Sequence, residues 1–368
     1  MPSLPKPTLF DSLDLSPALK LPNRIMMAPL TRGRATKAAV PTAIMGEYYA
    51  QRAGAGLIIS EATGISRDGL GWPFAPGLWT QDQVEGWKPV VAAVHAAGGR
   101  IVAQLWHMGR LVHPDLGGGV PLAPSAIAAP HRALTYEGRK DYVEPRAMTL
   151  EDIGRVIGDY AKASRNAIAA GFDGVQIHGA NGYLIDQFLR ESANQRDDDY
   201  GGSIDHRLRF MREVTRTVID AVGVDRTSIR LSPNLESQGA EDRHPAPLFT
   251  AAAAALEELR VPWIELRESG PQSTFQPSDT PPISPAMRQV YSGKIILNSD
   301  YDGPSATARM AEGVADGISF GRPYIANPDL AERIKVGAPL NQADKDTFYT
   351  QGPEGYVDYP ELMEQATA

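Results

Sequence analysis

Short apolar runs recur along the chain, and each is followed by a loop, a stretch of helical periodicity and a glycine. The runs are Arg24–Pro29 (RIMMAP), Gly56–Glu61 (GLIISE), Arg100–Leu105 (RIVAQL), Asp173–His178 (DGVQIH), Thr227–Ser232 (TSIRLS), Pro262–Arg267 (PWIELR), Lys294–Asn298 (KIILN) and Asp316–Gly321 (DGISFG). They do not alternate strictly between apolar and polar. Near-continuous apolar content is the pattern of parallel strands covered on both faces. Between the runs the spacing predicts helices. Thr149 stands three residues before Asp152, as in a capping box, and Ile153, Val156, Ile157, Tyr160, Ser164, Ala167 and Ile168 follow on one face up to Gly171. Residues 203–223 repeat the pattern with Leu208, Met211, Val214, Val218 and Val222. Six more helices are expected over 42–54, 81–98, 247–260, 284–291, 304–313 and 327–337. Alternating strands and helices in this number predict the α/β class and a single (β/α)8 TIM barrel. An open doubly wound sheet would normally carry a G-x-G-x-x-G turn after its first strand, and none occurs.

One connection stands out in length. Residues 106–148 are rich in Gly, Pro and His and show no clear helix, so they are expected to form a long active-site loop after the third strand. The segments 1–22 and 345–368 read as extensions that cap the two barrel openings, within one domain spanning 1–368.

Composition narrows the chemistry mainly by exclusion. The 36 basic and 44 acidic residues give a net charge of −8 without any basic run, which argues against nucleic acid or an acidic membrane as partner. There is no cysteine, so disulfides, thiolate metal sites, iron–sulfur clusters and thiol nucleophiles are ruled out, and a reducing, cytoplasmic setting is expected. The first nine residues carry prolines at 2, 5 and 7 and do not read as a signal peptide, and no apolar stretch reaches membrane-spanning length. No histidine has metal-ligand spacing, so no metal is expected.

In a barrel of this kind the active site lies at the C-terminal ends of the strands. Those ends hold Thr31, Gln104, His178 with Asn181 and Tyr183, Arg230, Asn298-Ser299-Asp300 and Gly321-Arg322. They supply donors and one or two positive charges but no paired acids, which suits a large anionic cofactor and a carbonyl-bearing substrate. Backbone N–H groups at Ser299, Asp300 and Gly321, with the Arg322 fork, suit a phosphate after strands seven and eight. Arg230 can stabilise the anionic edge of a flavin, with Glu265 across the barrel as its other available partner. Gln104 can donate to and accept from the pyrimidine edge, and Thr31 can donate to the flavin O4. His178 and Asn181, three apart, can aim two donors at one carbonyl oxygen, and Tyr183 can protonate the α carbon as general acid.

From about Leu9 to Pro360 the chain resembles the old yellow enzymes. The resemblance rests on MAPLTRGRAT (Met27–Thr36), Tyr48–Thr63, AQLWHMGR (Ala103–Arg110), GFDGVQIHGANGYLIDQFLR (Gly171–Arg190), YGGSIDHRLRF (Tyr200–Phe210), IRLSP (Ile229–Pro233), FGRPYIANPDL (Phe320–Leu330) and GYVDYP (Gly355–Pro360). It implies an FMN held by Pro29, Leu30, Thr31, Ala62, Gln104, Arg230, Ser299, Asp300, Gly321 and Arg322. It implies a substrate carbonyl on His178 and Asn181, Tyr183 as proton donor, and Trp72, Trp106 and Tyr356 as aromatic pocket walls. Thr31 places the chain in the Thr branch of the family. The implied activity is ping-pong reduction of activated C=C bonds with NADPH or NADH as reductant, by a monomer or homodimer. A flavin-carrying binding protein for phenols or steroids, and a nitroester or quinone reductase, share the same residues. Two departures stand out: Gly179, where relatives often carry Ala, is expected to loosen the turn behind His178, and the loop 268–278 is unusually rich in Pro and Ser.

Overall fold

The computed structural model describes residues 7–274 and 276–362. Its parallel strands are β1 (Ile25–Met27), β2 (Leu57–Ile59), β3 (Ile101–Trp106), β4 (Gly174–His178), β5 (Thr227–Leu231), β6 (Trp263–Arg267), β7 (Lys294–Asn298) and β8 (Gly317–Phe320). Each pairs with the next, and β8 returns to β1 through Ser319 opposite Met26, so the sheet closes into a barrel with no free edge. Thr63–Gly64 forms a further two-residue strand against the end of β3. Nearly every strand residue is buried, as their two-sided apolar content requires.

Helices wrap the barrel between strands, the longest being α1 (Leu150–Ala169) and α2 (Ile204–Val222). The capping box before α1 forms as the sequence indicates: Asp152 N–H donates to Thr149 Oγ1 at 3.1 Å and Thr149 N–H donates to Asp152 Oδ2 at 2.8 Å. Ile153, Val156, Tyr160, Ser164 and Ala167 turn inward, and Gly171 takes a positive φ of 102° to end the element. Two short helices, Leu184–Leu189 and Pro323–Ala326, are not apparent from periodicity, being too short to show a repeat. Among the described residues no helix is long and apolar enough to cross a membrane.

Both ends of the barrel are covered. A hairpin of Leu13–Ser16 and Leu19–Leu21 packs Leu13, Leu15, Leu19 and Leu21 against Met26, Leu57, Ile59, Val102, Trp263 and Ile296, which closes the N-terminal mouth. Residues 1–6 and 363–368 of the expected caps lie outside the described residues. The C-terminal segment is fastened over the other mouth by two buried arginines. Arg32 donates to the carbonyls of Phe348 and Gly355, and Arg34 to those of Phe348 and Thr347.

The segment 106–148 is more ordered than its composition suggests. It holds two 3-10 turns, a parallel pairing of Leu122–Ala123 with Arg146–Ala147, and a hairpin joining Arg132–Thr135 to Gly138–Asp141. The hairpin tip is held by Tyr136, edge-on to Phe74 at 5.1 Å and under the Lys37 ammonium. Two-residue turns and four-residue strands leave too short a pattern to be legible in the sequence.

Candidate active site

The turn after β4 is the best-defined part of the site. Asn181 sits at φ 62° and Gly182 at φ 77°, a left-handed pair that Asn and Gly tolerate best. A Cβ on Gly182 would lie 2.3 Å from the Ser237 carbonyl oxygen, so no other residue fits without displacing backbone. Asn181 N–H donates to Ser232 Oγ at 2.8 Å, and Gly182 N–H donates to the buried Asp186 carboxylate at 2.8 Å. The turn is not loosened at Gly179, contrary to expectation. Its N–H donates to the Arg230 carbonyl at 2.9 Å, and a methyl there would press on that same oxygen at 3.1 Å.

This turn gathers three rings. His178 lies edge-on to Tyr183 at 4.8 Å, Tyr183 edge-on to Trp106 at 5.0 Å, and Trp106 is near-parallel to His178 at 6.3 Å. Burial, then the Arg230 and Arg267 charges, hold the His178 imidazolium well below the usual range, so the ring is neutral near pH 7. Its Nδ1 accepts from Ala180 N–H at 3.3 Å, which leaves the ring proton on Nε2. Burial pushes the Tyr183 phenol well above its ordinary value, so it keeps its proton.

Beneath the rings runs a buried polar layer. Gln104 Nε2 donates to Gln176 Oε1 at 2.8 Å, Gln176 Nε2 to Glu265 Oε2 at 3.0 Å, and Ser319 Oγ to Glu265 Oε1 at 2.6 Å. Arg230 Nη2 donates to Asn298 Oδ1 at 2.6 Å, and Asn298 Nδ2 to the Ser319 carbonyl at 2.8 Å. Arg230 Nε lies 3.2 Å from Glu265 Oε2, an ion pair whose N–H is misaligned for a hydrogen bond. Both partners foreseen for Arg230 are therefore compatible: Glu265 holds one edge of the guanidinium from below. Gln176, Glu265, Asn298 and Ser319 complete the layer; Gln176 and Ser319 are not singled out by the sequence, although QIH, SIR and IELR each carry polar side chains two apart inside apolar strands. That spacing puts both on one face, where neighbouring strands must satisfy them.

Arg267 is a further residue that the sequence does not single out. It is buried at the end of β6, and its Nη1 donates to Asn181 Oδ1 at 2.7 Å. Burial, then the neighbouring Arg230, push its guanidinium down to about 9 in spite of the nearby Asp300 and Tyr183. The positive charge gathered at Arg230 and Arg267 is what an anionic ring edge would relieve. Above it, half-buried Pro29, Leu30 and Thr31 line the mouth beside Ala62, and Ala28 N–H to the Phe320 carbonyl at 3.0 Å joins the ends of β1 and β8. The Glu61 carboxylate, pushed up to about 7 by burial, accepts from the backbone N–H groups of Arg32 and Gly33 and so holds the loop that carries Thr31. Gly321 is open toward Leu30, its Cβ position 3.6 Å from Leu30 Cδ2. These residues fit an FMN: donors and positive charge for its pyrimidine edge, an apolar shelf for the ring, and an arginine for the phosphate.

After β7 and β8, Asp300 and Arg322 meet each other and the 268–278 loop. Arg322 pairs with the Asp300 carboxylate and with Thr274, while Asp300 Oδ2 also accepts from Ser273 Oγ and from Thr274. Asp300 thus joins the 268–278 loop to Arg322 through its side chain. Phe275 of that loop lies outside the described residues. The Arg322–Asp300 pair is half exposed, and such pairs contribute ~0–1 kcal/mol, little enough for a phosphate to capture the guanidinium.

The aromatic walls need one correction. Trp106 and half-buried Trp72 pack with Tyr183 and Tyr142 in one cluster. Tyr356 does not: it is fully buried in the main core, stacked on Tyr48 at 4.1 Å under Arg32 and Arg34. Its ring fills the clasp that fastens the C-terminal segment. Tyr349 is the residue of that segment that meets the cluster, edge-on to Trp72 at 5.1 Å, and nothing in its sequence neighbourhood separates it from Tyr356.

A model of the NADH:flavin oxidoreductase / NADH oxidase family matches residues 8–341. The chain is 41% identical over 382 aligned positions to flavin oxidoreductase hxnT of Emericella nidulans, covering 97% of this chain and 98% of the relative. It is 39% identical to 12-oxophytodienoate reductase 7 of Oryza sativa subsp. japonica, over 94% and 93% of the two chains. Among solved structures it resembles an old yellow enzyme homologue from Zymomonas mobilis, with 54% identity, TM-score 0.95 and coverage of 97% and 100%. Morphinone reductase in complex with tetrahydroNAD is 43% identical, with TM-score 0.90 and coverage of 97% and 98%.

Proposed function

The chain belongs to the NADH:flavin oxidoreductase / NADH oxidase family, among the old yellow enzymes, and from that membership we propose that it reduces α,β-unsaturated ketones, aldehydes and maleimides in a ping-pong cycle. It is an NAD(P)H-dependent FMN oxidoreductase of the ene-reductase kind. Bound FMN would supply the redox chemistry, hydride acceptance and donation. Pro29, Leu30, Thr31, Ala62, Gln104, Arg230, Ser299, Asp300, Gly321 and Arg322 would hold it.

The observation that carries this reading is the cluster after β4. The neutral His178 can present Nε2–H, and Asn181 can present its amide N–H, to one carbonyl oxygen. Both donors are set before the substrate arrives, so negative charge developing on that oxygen is met without reorganisation. Tyr183 keeps its proton and offers it to the α carbon. Trp106, Trp72 and Tyr349 form apolar walls that exclude water from the polarised alkene. One mouth serves the nicotinamide and the alkene in turn, which is why we propose ping-pong kinetics.

Anaerobic mixing with NADPH should bleach the yellow protein, and 2-cyclohexenone should restore the colour. Bleaching that cyclohexenone does not reverse would remove the alkene assignment. Arg322→Ala should raise the FMN dissociation constant at least about tenfold, since a charge-assisted bond contributes roughly 1.5–3 kcal/mol. Fluorescence titration of the apoprotein measures this, and an unchanged constant would take Arg322 out of the phosphate site.

A further inference from the structure

We propose that Arg267 is a positioning residue that makes Asn181 an obligatory donor to the substrate oxygen, a role that rests on the reaction proposed above. An asparagine amide has an acceptor end and a donor end of nearly the same shape. Only one of its two orientations offers N–H to a carbonyl. The backbone of Asn181 is already held, by its left-handed φ of 62° and its N–H bond to Ser232, but neither contact chooses between the two amide orientations. Arg267 does. A guanidinium has donors and no acceptor, so the 2.7 Å contact from Nη1 can be made only to the amide oxygen. The N–H end of Asn181 must then face away from Arg267.

The barrel stagger places Arg267 for this task. Arg230 lies level with His178 on one side and with Glu265 on the other. Arg267 follows Glu265 by two residues on the same face, one layer nearer the mouth, where it reaches across to the turn after β4. Arg267 is buried and the contact with half-buried Asn181 is part-buried, so its charge is only partly screened by water and polarises the amide toward stronger donation. Arg267 thereby supports the growing oxyanion through Asn181 without touching the substrate.

The test is a double-mutant cycle. Arg267→Gln keeps length and polarity but can accept as well as donate, so it no longer dictates the amide orientation. It should lower kcat/KM for 2-cyclohexenone about 10- to 100-fold. Arg267→Lys, again donor-only, should recover most of that loss. In an Asn181→Ala background the Arg267→Gln effect should shrink to less than about twofold, because the group it acts through is gone. The same cycle with Arg267→Met serves if the Gln variant does not fold. A second readout does not need turnover: 4-nitrophenol bound to the oxidised holoprotein should show a lowered apparent pKa by its visible absorbance, less lowered in Arg267→Gln and restored in Arg267→Lys. Additive losses in the cycle, or a Lys variant no better than Gln in both readouts, would overturn the role. Wild-type protein that does not reduce cyclohexenone would instead remove the alkene assignment, and the nitrophenol comparison would still decide Arg267.

Discussion

His178→Ala is expected to lower kcat/KM for 2-cyclohexenone about 100- to 1000-fold, the usual loss when one preorganised donor to a developing oxyanion is removed. The imidazole is neutral and its Nδ1 is engaged by Ala180 N–H, so the variant loses one donor and no charge. The loss should fall on the alkene half-reaction more than on reduction by NADPH, where the carbon that gives hydride is already electron-rich. Rapid mixing of each half separates them, and equal losses in both would argue against the substrate clamp. The pH dependence follows from the direction of the shift. Burial beside Arg230 and Arg267 favours the neutral ring, so the alkene half-reaction should show no His178 ionisation between about pH 6 and 9. A histidine at its ordinary value would instead change charge near pH 6.5 and introduce an inflection there.

Tyr183→Phe is expected to slow the alkene half-reaction by a factor of about 100 to 10,000, the range for loss of a positioned general acid. Phenylalanine keeps the edge-on packing against Trp106 and His178, so folding and substrate stacking should be preserved while the proton is lost. Reduction by NADPH, which needs no proton from Tyr183, should change less than about threefold. The solvent deuterium effect on alkene reduction should also change in the variant, because the proton must then come from water. An unaltered oxidative rate in Tyr183→Phe would remove it as the acid. Because burial holds the phenol protonated, its role should persist well into alkaline solution.

The legible parts of this protein are those in which neighbours in sequence are neighbours in function. Eight apolar runs mark the barrel strands to within a residue or two, because parallel strands buried on both faces need continuous apolar side chains. His178, Asn181 and Tyr183 share one turn, so their spacing alone brings three donors together. The capping residues Thr149 and Asp152 are legible for the same reason. Of the buried partners, Glu265 is legible only as an acid able to pair with Arg230, and the network it joins is not. Glu265, Gln176 and Asn298 come from three strands and meet only through the stagger of the barrel. Tyr356 and Tyr349 stand seven residues apart in one segment, and the Arg32–Arg34 clasp decides which of them packs inward and which meets Trp72.

By itself, then, the chain's hydrophobic pattern determined a closed α/β barrel, and the residues at its strand ends determined a donor-rich mouth without paired acids or thiols. Only the tertiary structure decided which donors face which acceptors: that Arg267 crosses to Asn181, that Glu265 underlies Arg230, and that Asp300 meets Arg322 with its side chain. Hydrophobic periodicity is a property of each strand alone and survives in one dimension. A hydrogen bond between side chains far apart in sequence depends on register and stagger, which exist only once the barrel has closed.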